Sequence, residues 1–139
     1  MSAELEVRAA SAAFYAALNA MGRGAGGTMA EVWSHAPHVT AMHPIGPRIT
    51  GWDGVRGSFE QVAAVATAAA IALIDQQIHV VGDLAYEVGT ESGSLTLGGH
   101  EVTIQQRVTN IYRREHGAWK VVHHHADASS AMADVLSRL

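Results

Sequence analysis

Three short turn signals divide the second half of the chain into runs of alternating apolar and polar residues. Gly82-Asp83, Gly98-Gly99 and His116-Gly117 each separate two such runs. Alternation with a period of two predicts strands with one buried face, and a glycine-containing turn of two residues predicts a hairpin between neighbouring strands. Residues 71–127 are therefore predicted to form a long antiparallel meander, in which Gly89 and Gly93 are candidate bulge positions.

Helical patterns precede this meander. A first helix is predicted after Ser2 from one apolar stripe, which consists of Val7, Phe14, Leu18 and Met21. A capping-box pattern at 28–31 predicts a short second helix that ends near His35, and Asp53 is the predicted N-cap of a third. A short strand is predicted at 38–43. Helices followed by an antiparallel meander indicate an α+β domain with helices laid across one face of a curved sheet.

Composition narrows the function classes. The 139 residues, 48% hydrophobic and 16% charged, are expected to form one domain over 1–139 with an internal cavity or an oligomer interface. No cysteine is present, which excludes disulfides, thiolate metal sites and cysteine nucleophiles. The net charge of −4 and the scattered Lys and Arg residues argue against a nucleic-acid partner. No signal peptide is visible and the longest apolar run, 63–74, is too short to span a bilayer, so we expect no membrane association and a cytoplasmic location.

Four motifs carry a family resemblance: Phe14-Tyr15-Ala16-Ala17-Leu18-Asn19, Val39-Thr40-Ala41-Met42-His43-Pro44, Gly51-Trp52-Asp53 and Trp119-Lys120-Val121-Val122-His123-His124-His125. In this order they resemble the nuclear transport factor 2-like superfamily, and more narrowly its SnoaL-like (polyketide cyclase-like) members. The last motif is also similar to the association domain of calcium/calmodulin-dependent kinase. The resemblance implies a cone of curved antiparallel sheet, closed by helices around one pocket and usually found in a dimer or larger assembly.

Ketosteroid isomerase, which belongs to the same superfamily, provides a test of activity. Its general-base aspartate falls at His43 of this chain, its oxyanion-hole tyrosine at Phe14, and its protonated aspartate near Thr109. All three positions depart from the isomerase pattern. Steroid isomerisation by that chemistry is therefore not expected.

The predicted register of the last hairpin gives a different set of polar residues. If His116-Gly117 is a two-residue turn, His124 pairs with Thr109 and Ala126 pairs with Arg107. The isomerase resemblance places the His124 face inside the cone, which brings Arg107 and Thr109 into the cavity. A bulge would invert this assignment. The opposite, convex face is then predicted to carry Trp119, Val121, His123 and His125.

His43 is the candidate catalytic residue. A histidine has an ordinary pKa near ~6.5, which suits a general base at neutral pH. The alternative is that His43 only makes a hydrogen bond at a strand end before Pro44. Trp52 is a candidate wall of the binding site, with a plain core position as its alternative.

Arg107, Thr109 and His124 are the other candidate substrate-binding residues. The planar guanidinium of Arg107 could hold a carboxylate or an enolate through two hydrogen bonds. Its alternative is an ion pair with Glu87 or Glu91 from the neighbouring strand.

A metal site is a competing interpretation of the histidine run. His123 and His125 lie two residues apart on one strand face, a spacing that metalloenzymes use. A third ligand would have to come from His43, His79 or Asp127, and no pattern selects one of them. Histidines packed against Trp119 and a partner subunit are the alternative, so we expect neither a metal nor another cofactor.

Two functions are compatible with these patterns. The first is a small cofactor-independent enzyme of the isomerase, cyclase or dehydratase type that acts on an apolar carbonyl compound. The second is a non-catalytic association or binding module whose pocket holds a small apolar or acidic ligand. In either case we expect a homodimer that forms through the convex face.

Overall fold

The computed structural model describes residues 2–139. Three α-helices are present: α1 (Ala3–Met21), α2 (Trp52–Ala63) and α3 (Ser130–Ser137). Ser2 caps α1 as predicted, with its hydroxyl accepting a hydrogen bond from the backbone N–H of Leu5. The short C-terminal helix α3 was not predicted.

Two helix predictions need correction. The second helix is a single 3-10 turn at Thr28–Glu31 and does not reach His35, because the chain at Trp33 already forms a bridge with Val121 of the sheet. Asp53 is not the N-cap of α2. The N-cap is Gly51, two residues earlier, whose φ of 88° lies in the region that favours glycine.

Six strands form one curved sheet in the order β2-β1-β6-β5-β4-β3. Their bounds are β1 Thr40–Met42, β2 Ile49–Thr50, β3 Ala66–Val81, β4 Leu84–Leu97, β5 His100–Glu115 and β6 Ala118–Ala126. Consecutive strands from β3 to β6 pair antiparallel through the three predicted turns, which confirms the meander. β1 pairs parallel to β6, so the sheet is mixed. The α+β fold with helices over one face of a curved sheet is confirmed.

Three register shifts interrupt the strand pairing. One leaves Thr67 of β3 without a partner, because Ala66 pairs with Leu97 and Ala68 pairs with Thr96. In β3, Asp75 and Gln76 lie opposite the single residue Gly89, so Gly89 marks a bulge on its neighbour. Gly93 does not mark one, because it pairs in register with Ile71 of β3 and with Ile104 of β5. In β6, Ile111 pairs with His123 and Tyr112 with Val121, which leaves Val122 as the extra residue.

The β6 bulge decides which side chains enter the core. Because Val122 is unpaired, Trp119 and Val121 share the concave, helix-covered face with His124, and both are buried. The predicted convex position of Trp119 and Val121 is therefore wrong, whereas His123 and His125 lie on the convex face as predicted. Among residues 2–139, no helix has the length and apolar character needed to span a membrane.

Candidate functional site

A cavity of about 350 Å³ lies between the concave face of the sheet and the three helices. Its walls are mostly apolar, with contributions from Leu18, Phe59, Leu95, Ile104, Met132 and Leu136. The polar side chains on the wall are His43, Ser58, Gln61, Glu91, Gln106 and His124, of which Gln61 is exposed to solvent. Such a space, apolar with a few convergent polar groups, has the properties of a small-molecule site.

His43 lies just after β1, and a hydrogen bond to Ser58 of α2 determines which of its two ring nitrogens carries the proton. The Ser58 hydroxyl is 2.6 Å from the Val55 carbonyl oxygen, an acceptor to which it must donate its only proton. The His43 Nε2 atom, 2.8 Å from the same hydroxyl, therefore carries a proton and donates it to Ser58. The remaining ring nitrogen, Nδ1, is unprotonated. Burial, together with the nearby His124, lowers the pKa of His43 to about 4, so the ring is neutral at pH 7.

His124 lies on β6 and is fixed in the other tautomer. The Asn110 side chain donates from Nδ2 to the Glu87 carboxylate at 3.0 Å, which leaves its amide oxygen turned toward His124. His124 Nδ1 lies 2.6 Å from that oxygen and must donate to it, so Nε2 is the unprotonated atom. Burial lowers the pKa of His124 to about 3, with smaller contributions from His123 and His125. The His43 and His124 ring centroids are 6.2 Å apart.

A buried hydrogen-bond network continues from the cavity wall into the sheet. Tyr15 donates to Glu91 Oε2 at 2.9 Å and accepts from Asn110 Nδ2 at 3.1 Å, and Gln106 donates to Glu91 Oε1 at 2.8 Å. Burial raises the pKa of Glu91 and the pKa of Tyr15 above their ordinary values. The network joins the carboxylates of Glu87 and Glu91, and no ion pair to either is found within residues 2–139.

The structure brings two of the five predicted site residues together, namely His43 and His124. Arg107 and Thr109 lie on the convex face, so their predicted position in the cavity is wrong. The reason is the Val122 bulge: His125 pairs with Thr109 where His124 was expected, and the face of each β5 residue is inverted. Arg107 is 85% exposed and binds Asp127 at 2.7 Å, so its alternative pairing with Glu87 or Glu91 is also wrong.

Trp52 also lies away from the cavity wall. It is buried beneath His35, and the centroids of the two stacked rings are 4.6 Å apart. Trp52 therefore occupies a core position, which was the alternative prediction for it. On the convex face, His123 contacts the Thr40 hydroxyl at 2.7 Å and its ring lies 6.2 Å from that of His125. Within residues 2–139, no three His, Asp or Glu side chains are grouped so as to hold a metal ion.

Asn110, Glu91, Gln106 and Ser58 were missed as site residues. The positions of Glu87 and Glu91 could have identified them from the sequence. Both lie an even number of residues from Ala85 and so share its inward face of the strand, where a buried carboxylate needs hydrogen-bond partners. Asn110 was missed because the expected register placed its neighbour Thr109 opposite His124.

Comparison with known proteins agrees with this architecture. The family model of the SnoaL-like domain matches residues 7–133. A crystal structure of a candidate dehydratase of the NTF2-like family from Streptomyces avermitilis is similar, with 28% identity and a TM-score of 0.77 over 91% of this chain and 95% of that one. A candidate calcium/calmodulin-dependent protein kinase type II association domain from Thiobacillus denitrificans has 27% identity and a TM-score of 0.71, over 88% and 94% of the two chains.

A candidate ketosteroid isomerase from Parabacteroides distasonis shares the fold at 16% identity, with a TM-score of 0.68 over 91% and 87% of the chains. No curated protein matches this chain.

Proposed function

The chain belongs to the SnoaL-like domain family, and from that premise we propose that it is a cofactor-independent enzyme in which His43 removes a proton next to the carbonyl group of a small apolar compound. The observation that supports the proposal is the unprotonated Nδ1 atom of His43. It has no hydrogen-bond partner within residues 2–139, and its ring lines the cavity. Ser58 holds the other nitrogen and so keeps the basic atom available.

The cavity gives this base a suitable setting. His43 is neutral at pH 7 because its pKa is lowered to about 4, so the base form is present without any prior loss of a proton. A low pKa also makes it a weak base while the cavity is empty. When the α-proton moves, the new imidazolium and the developing enolate carry opposite charges in an apolar space, where their attraction is stronger than in water. The second amide hydrogen of Gln106, whose first is bound to Glu91, is a donor that could support the enolate oxygen.

Removal of an α-proton is a step shared by isomerase, cyclase and dehydratase reactions of carbonyl compounds. The similarity to a candidate dehydratase from Streptomyces avermitilis supports this class of chemistry for this chain. The experiment therefore measures the shared step. We would incubate the protein with 2-tetralone, 2-cyclohexenone and related ketones in D₂O and follow loss of the α-proton signals by NMR.

We expect the wild-type protein to accelerate exchange for at least one ketone. His43→Gln should abolish the acceleration, since Gln can bind Ser58 but cannot take up a proton at neutral pH. His100→Gln, at the exposed first residue of β5, is the matched control and should retain it. Equal exchange by the wild type and His43→Gln would overturn the proposal.

A binding module is the second candidate, and one observation favours it. Within residues 2–139, the hydroxyls of Ser58 and Tyr15 already donate to protein acceptors, which leaves few donors for an enolate oxygen. The similarity to a candidate association domain from Thiobacillus denitrificans is compatible with this function. Ligand binding by the wild type without any α-proton exchange would support this second candidate.

A further inference from the structure

We propose that the ligand of the cavity is a neutral apolar molecule that carries a hydroxyl group, and that this hydroxyl donates a hydrogen bond to Nε2 of His124. The inference rests on the proposed function in one respect, that the cavity is the binding site. It adds the chemical class of the ligand and assigns His124 to its recognition.

Most of the polar atoms on the cavity wall that have no partner are hydrogen-bond acceptors. Nδ1 of His43 and Nε2 of His124 are unprotonated, and neither has a partner within residues 2–139. Glu91 and the amide oxygen of Gln106 add further lone pairs. Within residues 2–139, the donors on the wall are committed to the protein, apart from the second amide hydrogen of Gln106 and the side-chain amide of Gln61, which is exposed to solvent. A ligand that fills the cavity therefore meets mainly acceptors and must bring a donor of its own.

A chain of two hydrogen bonds fixes the proton of His124. The Glu87 carboxylate sets the orientation of the Asn110 amide, and the Asn110 oxygen sets the proton on His124 Nδ1. Glu87, Asn110 and His124 are all at most 3% exposed, so no water competes for these positions. Three buried residues thus present one acceptor atom to the cavity. If His124 served only as packing, an apolar side chain would fill the same position without this polar support.

Among residues 2–139, no Lys or Arg side chain lines the cavity. Glu91 lies on the cavity wall and Glu87 lies behind it, while Arg107, the cation expected to hold an acid, lies on the convex face. An anionic ligand would have to enter an apolar space near two buried carboxyl groups with no cation to balance it. Such a ligand is disfavoured by desolvation, and no attraction to a cation offsets that cost. A neutral hydroxyl supplies the missing donor without it.

A series of ligands on one carbon frame tests the inference in the wild-type protein. Tetralin, 2-tetralol, 2-aminotetralin and tetralin-2-carboxylate differ only in the polar group, and each is titrated at pH 7 by calorimetry. We expect 2-tetralol to bind about tenfold more tightly than tetralin, the effect of one good hydrogen bond to a buried acceptor. The carboxylate should bind more weakly than tetralin.

Two variants locate the contact. In His124→Phe, which keeps an aromatic ring but no acceptor, tetralin should still bind and the preference for 2-tetralol should disappear. In His100→Gln the preference should persist. Should His124→Phe fail to fold, the wild-type series still decides the question, because it requires no substitution.

The outcomes separate this inference from the proposed function. Equal binding of tetralin and 2-tetralol, or tightest binding of the carboxylate or the ammonium compound, would overturn the inference and leave the cavity as the binding site. Failure of all four compounds to bind would overturn it together with the cavity's assignment as the site. A further outcome is that the protein exchanges the α-protons of 2-tetralone in a His43-dependent way and yet binds 2-tetralol no more tightly than tetralin. That result would support the proposed function and overturn the inference about the hydroxyl group.

Discussion

At the scale of single residues, the site depends on two neutral histidines whose protons are fixed by partners outside the cavity. Ser58 accepts from His43 and Asn110 accepts from His124, so each ring has its basic nitrogen free. Both rings have a pKa well below the ordinary value of histidine, and burial is the main cause in each case. The fold therefore favours the uncharged form of both rings, and this has a measurable effect on stability.

We expect the stability contribution of His43 to be lost in acid. Its pKa is about 4 in the folded protein and near ~6.5 in the unfolded chain, so the unfolded state binds more protons between these values. The contribution is fully present above pH 6.5 and declines as the pH falls toward 4, by about 2 kcal/mol between pH 7 and pH 5. Urea unfolding of the wild type and His43→Gln at pH 7, 6 and 5 measures it.

The raised pKa of Glu91 acts in the opposite direction, since burial favours its protonated form. Glu91 is present in both proteins, so the difference between the wild type and His43→Gln isolates the histidine. Parallel pH profiles for the two proteins would show that His43 is not held neutral by the fold.

Asn110 is expected to be the most sensitive polar residue of the network. Replacement by Ala leaves His124 Nδ1–H without its acceptor and removes a donor from both Glu87 and Tyr15. Unsatisfied buried groups of this kind cost about 1–3 kcal/mol each, so Asn110→Ala should lower the free energy of unfolding by about 2–5 kcal/mol. Gln105→Ala, exposed on the same strand, should change it by less than about 0.5 kcal/mol. Chemical denaturation of both variants gives the comparison, and similar values for the two would contradict the network.

At the scale of elements, the sequence predicts the helices and strands that have a periodic pattern of apolar residues, and it does not predict a pairing between distant strands. Three turns with alternating runs between them determine β3 to β6, and the apolar stripe determines α1. The parallel pairing of β1 with β6 has no local signal, because it joins residues about eighty positions apart. The helix α3 did have a signal, since Ser129 caps it and Met132, Val135 and Leu136 recur at helical spacing.

The register of β5 and β6 was the prediction with the largest consequence for the site. Alternation normally reveals a bulge because the pattern slips by one residue. Here the slip occurs at Val122, directly before three consecutive histidines, where no apolar and polar alternation exists to show it. His124 was placed correctly from the family resemblance. Arg107 and Thr109 were placed from a register counted without the bulge, and so were assigned to the wrong face.

Gly93 should tolerate no side chain. Its φ is 146°, and a Cβ atom there would lie 1.8 Å from the Ala70 carbonyl oxygen of β3. The clash is with backbone, so β3 and β4 would have to separate, and Gly93→Ala should lower the free energy of unfolding by about 3 kcal/mol or more. Gly26→Ala, where a Cβ atom meets nothing within 4 Å, is the matched control. Thermal unfolding of both variants tests this, and equal melting temperatures would refute it.

At the scale of the whole molecule, the convex face of the sheet carries an exposed apolar patch near the β3–β4 turn. Val81 is 75% exposed, Leu84 50% and Tyr86 44%, and strand pairing places all three on the same face, with His79 beside Tyr86. Exposed apolar area that is concentrated on one face is typical of an interaction surface. The patch replaces Trp119 and Val121 as the reason to expect self-association.

We expect a homodimer that buries this patch. Light scattering at micromolar concentration should give twice the 14.7 kDa chain mass. Tyr86→Glu, which puts a charge in the patch, should shift the mass toward that of one chain, while Thr103→Glu on an exposed part of β5 should not. A mass of 14.7 kDa for the wild type would exclude a stable dimer at this concentration.

The extra residue at Val122 also has a consequence for how this chain is aligned with its relatives. On the turn side of the bulge, inward residues of β6 are Trp119 and Val121. Beyond it they are His124 and Ala126. The inward positions therefore change from odd to even residue numbers within one strand. An ungapped alignment with a relative that lacks the insertion matches inward residues to outward ones over half the strand. Site residues should therefore be transferred within the family by counting backward from Asp127, and a relative with a histidine at the apparent position of His123 or His125 is a candidate to share this site.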